Sequence, residues 1–217
     1  ETNICSSSFH AAAVCAGAGC YAVDRVMQIG GPKRVFVPCR PPGHHAGPSG
    51  QVADDAGRLS PSQGFCLLNS VAIAAAYARL APYNYKGILQ RIAIIDFDAH
   101  YGDGTAACVM NLRPRYRLRV VDGNPNILSI PLPRGTESNR FREIAANQML
   151  PHLAAFRPNL IFLSSGFDGH AEDVLGNDGG LQLTEEDFKW FTLRVGEIAD
   201  RYSEGRIISM LEGGYHL

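Results

Sequence analysis

Apolar residues along this chain gather in short runs that stop at residues able to do chemistry. VFVPC at 35–39 leads into RPPGHH, RIAIID at 91–96 into FDAH, NLIFLSS at 159–165 into GFDGH, and RIISML at 206–211 into EGGYH. Runs of this length bounded by Gly and Pro read as buried strands. A further run, NILSIPL at 126–132, predicts a short strand. Helical spacing fills the intervals. The Ala-rich stretch 8–28 predicts a packed helix with Gly17 and Gly19 at a close contact, and NSVAIAAAYARLA predicts another over 69–81. Further helices are predicted near 104–112, over 138–156 with Pro151 kinking or dividing it, and over TEEDFKWFTLRVGEIADRY, where Thr184 and Asp187 resemble an N-cap arrangement. Residues 47–63, rich in Gly, Ser, Pro and Asp, read as a surface loop. Strands alternating with helices predict an α/β fold. It is one three-layer domain over 1–217, with a central parallel sheet flanked by helices.

In an open parallel sheet, ligands bind at the carboxyl ends of the strands. The run ends would then pool His44, His45, Asp96, Asp98, His100, Asp168 and Tyr215 in one cleft. Alternate strand residues face the same way, so Asp96, Asp98 and His100 share a face if the strand persists. Asp98 and His100 pair a hard oxygen with an imidazole nitrogen, a sensible set for zinc or iron. Asp168 can supply a third ligand, leaving a position open for water. The adjacent imidazoles of His44 and His45 suit a general base and an electrostatic partner, with Asp96 and Asp103 available to orient them. Tyr215 follows Gly213 and Gly214 and can donate to a carbonyl oxygen as that oxygen gains charge. Plainer readings stay open at each position: a helix cap at Asp98, a structural histidine pair, a core tyrosine.

Composition narrows the function classes. With 46% hydrophobic and 19% charged residues the chain suits a globular core, not disorder. Twenty basic against 21 acidic residues give a net charge of −1, so neither direct nucleic-acid binding nor a membrane partner is expected. Arg113, Arg115, Arg117 and Arg119 in RPRYRLR read as a solvated loop or edge strand. The six cysteines form no C-x-x-C pair and read as reduced, mostly buried thiols of an intracellular protein. No apolar stretch is long enough to span a bilayer, and no signal peptide is visible. A chain that stops two residues after Tyr215 is expected to be incomplete, as is its first part.

Taken in order, RPPGHHA, GFCLLN, IDFDAHYGDGT, SSGFDGH and LEGGYHL resemble the zinc-dependent histone deacetylase family. The likeness is strongest to its class II branch and to related bacterial amidohydrolases. The resemblance implies an arginase-like fold and hydrolysis of the acetyl amide of acetyl-lysine. It implies one catalytic zinc on Asp98, His100 and Asp168, and an acid/base pair in His44 and His45. Asp96 would orient His44, Asp103 would orient His45, and Tyr215 would polarise the carbonyl. A potassium ion near Asp96 is a further expectation of the likeness.

Phe65 matches an aromatic wall of the acetyl-lysine tunnel, and Leu175 stands where polyamine-specific relatives carry Glu. Gly43 and Gly213, close to the histidine pair and the tyrosine, complete the residues expected to meet substrate. The resemblance also implies histone tails or similar proteins as substrate, a corepressor complex as partner, and a nuclear or cytoplasmic location. Against the family pattern, the segment around 113–128 lacks a tunnel loop, and Tyr101 replaces a second histidine. The rivals are a two-manganese ureohydrolase, which needs a second aspartate where His170 stands, a small-molecule amidohydrolase, and a non-catalytic scaffold.

Overall fold

A computed structural model of the chain describes residues 3–53, 56–59, 62–80, 87–111, 126–174 and 180–216. Leu175 and the RPRYRLR segment lie outside the described residues, as does most of the loop near 113–128.

The four main apolar runs become strands β1 (Arg34–Val37), β2 (Ile92–Asp96), β3 (Leu160–Ser165) and β4 (Ile207–Leu211). They pair in the order β1-β4-β3-β2, every pair parallel. Pro38 has no N–H to continue a ladder, so β1 closes before the predicted Cys39. The helices are α1 (Ser8–Met27), α2 (Ser70–Leu80), α3 (Asp103–Asn111), α4 (Ser138–Ile144), α5 (Leu150–Phe156) and α6 (Glu185–Tyr202).

Alternation along the central strand sorts the core into two layers. Leu160 and Phe162 pack with Ile208 and Met210 against Val23 and Val26 of α1 and Val71 and Ala74 of α2. Ile161 and Leu163 face the other way, onto Phe188, Phe191 and Val195 of α6, with Phe141 and Leu153 beyond. All six β3 residues are buried, as a strand covered on both faces requires. Gly19 is a true close contact: a Cβ there would lie 2.7 Å from Met210 Cε and 3.0 Å from Ala74 Cβ, whereas Gly17 has open space.

Two predictions need correction. NILSIPL forms no strand; residues 127–133 carry no regular structure. Pro131 and Pro133 remove two ladder donors from a stretch that is largely exposed. The predicted helix over 138–156 is divided, but before Pro151 and not at it: Ala145–Met149 is a π-helical segment linking α4 to α5. The proline lacks an N–H, and its ring crowds the carbonyl one turn earlier, which widens the preceding turn. The six cysteines are free; Cys15 and Cys66 are buried, and Cys5 is exposed. No helix among the described residues is long and apolar enough to cross a membrane.

Helix α6 starts on a full capping box, Thr184 with Asp187. Asp187 is buried and also accepts from Ser138 Oγ at 2.6 Å and Arg142 Nε at 2.6 Å, tying α4 to α6. Asp187→Ala removes the cap and strands those two donors, for an expected loss of about 2–3 kcal/mol in chemical denaturation. Burial opposes the Asp187 charge, but bonds from Ser138, Thr184 and Arg142 outweigh it and hold the pKa low. A depressed folded-state pKa gives stability that is full above the unfolded value near ~4 and fades as pH falls through the folded value. The acid sensitivity of unfolding should therefore shrink in the variant.

Candidate metal and acid–base site

Parallel pairing brings the carboxyl ends of all four strands to one edge, and the loops leaving them build the site. The loop after β1 carries His44 and His45. His44 Nδ1 lies 2.9 Å from Asp96 Oδ2, on the last residue of β2. His45 Nδ1 lies 2.6 Å from Asp103 Oδ1, on the first turn of α3, where a helix N-terminus favours a carboxylate. The two imidazoles are neighbours, with centroids 4.2 Å apart. Burial works against a charge on His44, but Asp96, Asp98 and Glu212 outweigh it and raise its pKa to about 9.

β2 ends at Asp96, so Asp96, Asp98 and His100 do not continue one strand face. The chain turns on its own carboxylates instead: Asp96 Oδ1 accepts the N–H of Asp98, and Asp98 Oδ1 accepts that of His100. This turn swings Asp98 and His100 toward Asp168, which follows β3. His100 Nδ1 then lies 3.0 Å from Asp98 Oδ1 and 3.0 Å from Asp168 Oδ2. Asp98 Oδ2 accepts Gly213 N–H at 2.9 Å, and Asp168 Oδ1 accepts Ala99 N–H at 3.1 Å.

One atom is left over. Asp168 Oδ2 is fully buried and makes no hydrogen bond: the His100 ring nitrogen faces it at 3.0 Å, but that nitrogen bonds Asp98 Oδ1. A buried carboxylate oxygen without a hydrogen bond of its own is costly, and a cation among three converging ligand atoms satisfies it. Asp98, His100 and Asp168 each offer a ligand atom within 4.8 Å of the others, and the imidazole side is open to solvent. An oxygen–oxygen–nitrogen set fits a divalent metal with a coordination position to spare. His44, Cys66 and Glu212 also bring donor atoms together. Both Glu212 oxygens are taken by protein donors, and burial pushes the Cys66 thiol up, away from the thiolate a metal needs.

His170, where a ureohydrolase needs its second aspartate, stacks on Phe188 and faces Glu185 at 3.4 Å; among the described residues it belongs to no group of metal-ligating side chains.

Tyr215 places its ring 5.9 Å from Phe65 and 5.2 Å from the Arg40 guanidinium. Burial and the Asp168 and Asp98 charges push the phenol up to about 12, so it carries its proton at neutral pH. Phe65 is half-exposed at the rim with φ 64°, a strained conformation for an aromatic residue and one met at functional sites. Beside His45 a cleft opens, bounded by Gln51, Val52, Ser62, Gln63 and Gly64. The glycines sit behind the reacting groups: a Cβ on Gly43 would press on Leu68 O, and one on Gly213 on both Asp168 and Asp98.

Several supporting residues have no sequence signal of their own. Asp173 accepts the backbone N–H groups of Tyr215 and His216 at 2.6 and 2.9 Å. Asn69 bridges Ala46 O and Thr105 Oγ1, each at 3.0 Å. Arg40 donates to the carbonyls of Glu212 and Gly214. Arg40, Asn69 and Glu212 do stand inside the motifs RPPGHHA, GFCLLN and LEGGYHL, and that is the available hint; Asp173 stands in none of them.

Comparison with known proteins places this geometry. The chain matches the histone deacetylase domain family in two stretches, residues 1–121 and 117–217. It is 40% identical over 240 residues to Type-2 histone deacetylase 2 of Dictyostelium discoideum, covering 99% of this chain and 13% of that protein. It is 34% identical over 232 residues to Histone deacetylase 10, chloroplastic, of Oryza sativa subsp. japonica, covering 97% of this chain and 48% of the relative. The chain thus spans less than half the length of either protein. The crystal structure of the HDA15 HD domain aligns with a TM-score of 0.73 at 26% identity, over 95% of this chain and 57% of that one. With family matches running from the first residue to the last, and a fold shared with that crystal structure, the chain belongs to the histone deacetylase family of the arginase/deacetylase superfamily.

Proposed function

We propose that this site hydrolyses the acetyl amide of acetyl-lysine in proteins such as histone tails, using a single zinc ion. The carrying observation is the convergence of Asp98, His100 and an Asp168 oxygen that makes no hydrogen bond, beside two His–Asp pairs. Asp98, His100 and Asp168 would hold the zinc, which would supply a Lewis acid for activating water and polarising a carbonyl.

The chain's own groups do the rest. His44 is buried between Asp96 on one nitrogen and Asp98, 3.7 Å from the other, so it suits a fixed electrostatic partner. His45 is oriented by Asp103 and borders the open cleft. It can take a proton from water at Nε2 and return it to the departing lysine amine. The Tyr215 hydroxyl donates to the acetyl oxygen as that oxygen gains charge. Phe65 offers an apolar wall to the lysine methylenes.

The test is metal content together with turnover of an acetyl-lysine peptide, for the full-length protein and for His45→Ala. One zinc per chain is expected in both, with turnover down about 100-fold or more in the variant. Two manganese ions per chain, or unchanged turnover in His45→Ala, overturns the assignment.

A further inference from the structure

Glu212 is a buried carboxylate that the proposed chemistry leaves unused. It directly follows β4, is 1% exposed, and has both oxygens engaged. Oε2 accepts the N–H of Gly43 at 2.7 Å and of His44 at 3.1 Å, and Oε1 accepts Ser164 Oγ at 2.6 Å. Among the described residues no Lys or Arg side chain pairs with its carboxylate; Arg40 binds its backbone carbonyl instead. Three strand ends meet on this one side chain: the loop after β1, β3 through Ser164, and β4.

A buried charge whose hydrogen bonds all come from neutral donors, with only the His44 imidazole as a nearby opposite charge, is expensive, and an apolar residue of similar size can stabilise a fold as well. What the carboxylate does supply is a fixed direction for two successive peptide N–H groups, those of Gly43 and His44. Clamping them sets the backbone from which the His44 ring reaches Asp96. Gly43 packs closely on the chain at 68–70: a Cβ there would lie 2.5 Å from Leu68 O and 2.7 Å from Ser70 N. Thr105 N–H, which holds His44 O at 3.0 Å, grips the other end of the same residue.

We infer that Glu212 is a positioning residue that acts through His44, fixing the imidazole between Asp96 and Asp98. It touches no reacting atom. The kinetic part of its test rests on the deacetylase reading, and the spectroscopic part does not. Displacements of about 1 Å in such a group cost on the order of 10–100-fold in rate.

The experiment uses the full-length, metal-loaded protein with Glu212→Ala and Glu212→Gln, each in the wild-type and His44→Ala backgrounds. In the wild-type background Glu212→Ala should lower kcat about 10–100-fold, with KM and metal content nearly unchanged. Glu212→Gln, whose amide oxygen still accepts both N–H groups, should recover most of that loss. In the His44→Ala background the same Glu212→Ala change should cost less than about threefold, because a residue acting through His44 has nothing left to act on. In parallel, NMR of 15N-histidine-labelled protein should show the His44 Nδ1–H signal, bonded to Asp96, displaced by Glu212→Ala and kept by Glu212→Gln.

Equal losses in both backgrounds, or loss of metal, would make Glu212 a fold-holding residue and overturn the inference. So would an unmoved His44 signal. An inactive wild type with a displaced His44 signal would sink the deacetylase reading and leave the positioning role standing. If Glu212→Ala fails to fold, Ser164→Ala replaces it: freeing Oε1 should displace the same signal, and an unmoved signal again overturns the role.

Discussion

Gly213→Ala is expected to cost the protein its metal and, with it, about 1000-fold or more of any turnover that depends on the metal. The reason is steric and local. A Cβ at this position would lie 2.5 Å from Asp168 Oδ2 and 2.6 Å from Asp98 Oδ2. Neither carboxylate can retreat freely, because Ala99 N–H holds one and the Gly213 N–H itself holds the other. Three donor atoms that now converge must then splay. Gly213 is not among the positive-φ glycines, so alanine adds bulk without adding backbone strain. Overpacking of this kind costs roughly 1–3 kcal/mol, which a domain can survive. Metal stoichiometry after dialysis, set beside circular dichroism, separates a lost site from a lost fold. A folded Gly213→Ala protein that keeps one ion per chain would show that the metal does not sit on Asp98 and Asp168.

Tyr215→Phe is expected to act in the opposite way, sparing the metal while lowering kcat about 100- to 1000-fold, the usual cost of removing one donor from a developing oxyanion. The ring keeps its edge contact with Phe65 and its place by Arg40, and the backbone stays anchored on Asp173. Metal content, melting temperature and KM should therefore change little. Steady-state kinetics on an acetyl-lysine peptide decides: turnover within about threefold of wild type would remove Tyr215 from the proposed chemistry.

The two predictions differ in how much of their basis can be read before folding. The four strands were legible because each is an apolar run closed by Gly, Pro or a charged residue, and parallel pairing followed from the helices between them. Pairing on one sheet explains why His44, Asp96, Asp168 and Tyr215, spread from one end of the chain to the other, meet at one edge. NILSIPL misled because Pro131 within it and Pro133 just after it cannot donate, and apolarity alone does not make a ladder. The π-helical segment before Pro151 was legible as a disturbance but not in its form or exact place.

Within the site, residue type pointed to the histidine pair and the Asp–His–Asp group, since those side chains have few other reasons to cluster. The roles of Glu212, Asp173 and Asn69 were not legible, although Glu212 and Asn69 stand inside the quoted motifs. Their partners are backbone groups of distant loops, and a backbone N–H leaves no mark in a sequence. The close approach around Gly213 is likewise invisible until both aspartates are in place.

The site is stitched across long stretches of chain. His44 meets Asp96 52 positions away, Asp98 meets Gly213 at 115, and Gly43 meets Glu212 at 169. A parallel sheet offers no hairpin from which such pairings can zip up one at a time. Contact order is therefore high, and folding is expected to be slow for the chain's size. The reacting groups should all appear late and together, with no early intermediate able to bind metal. During synthesis the same arithmetic holds the centre unformed until the strand ending at Leu211 has cleared the ribosome and docked.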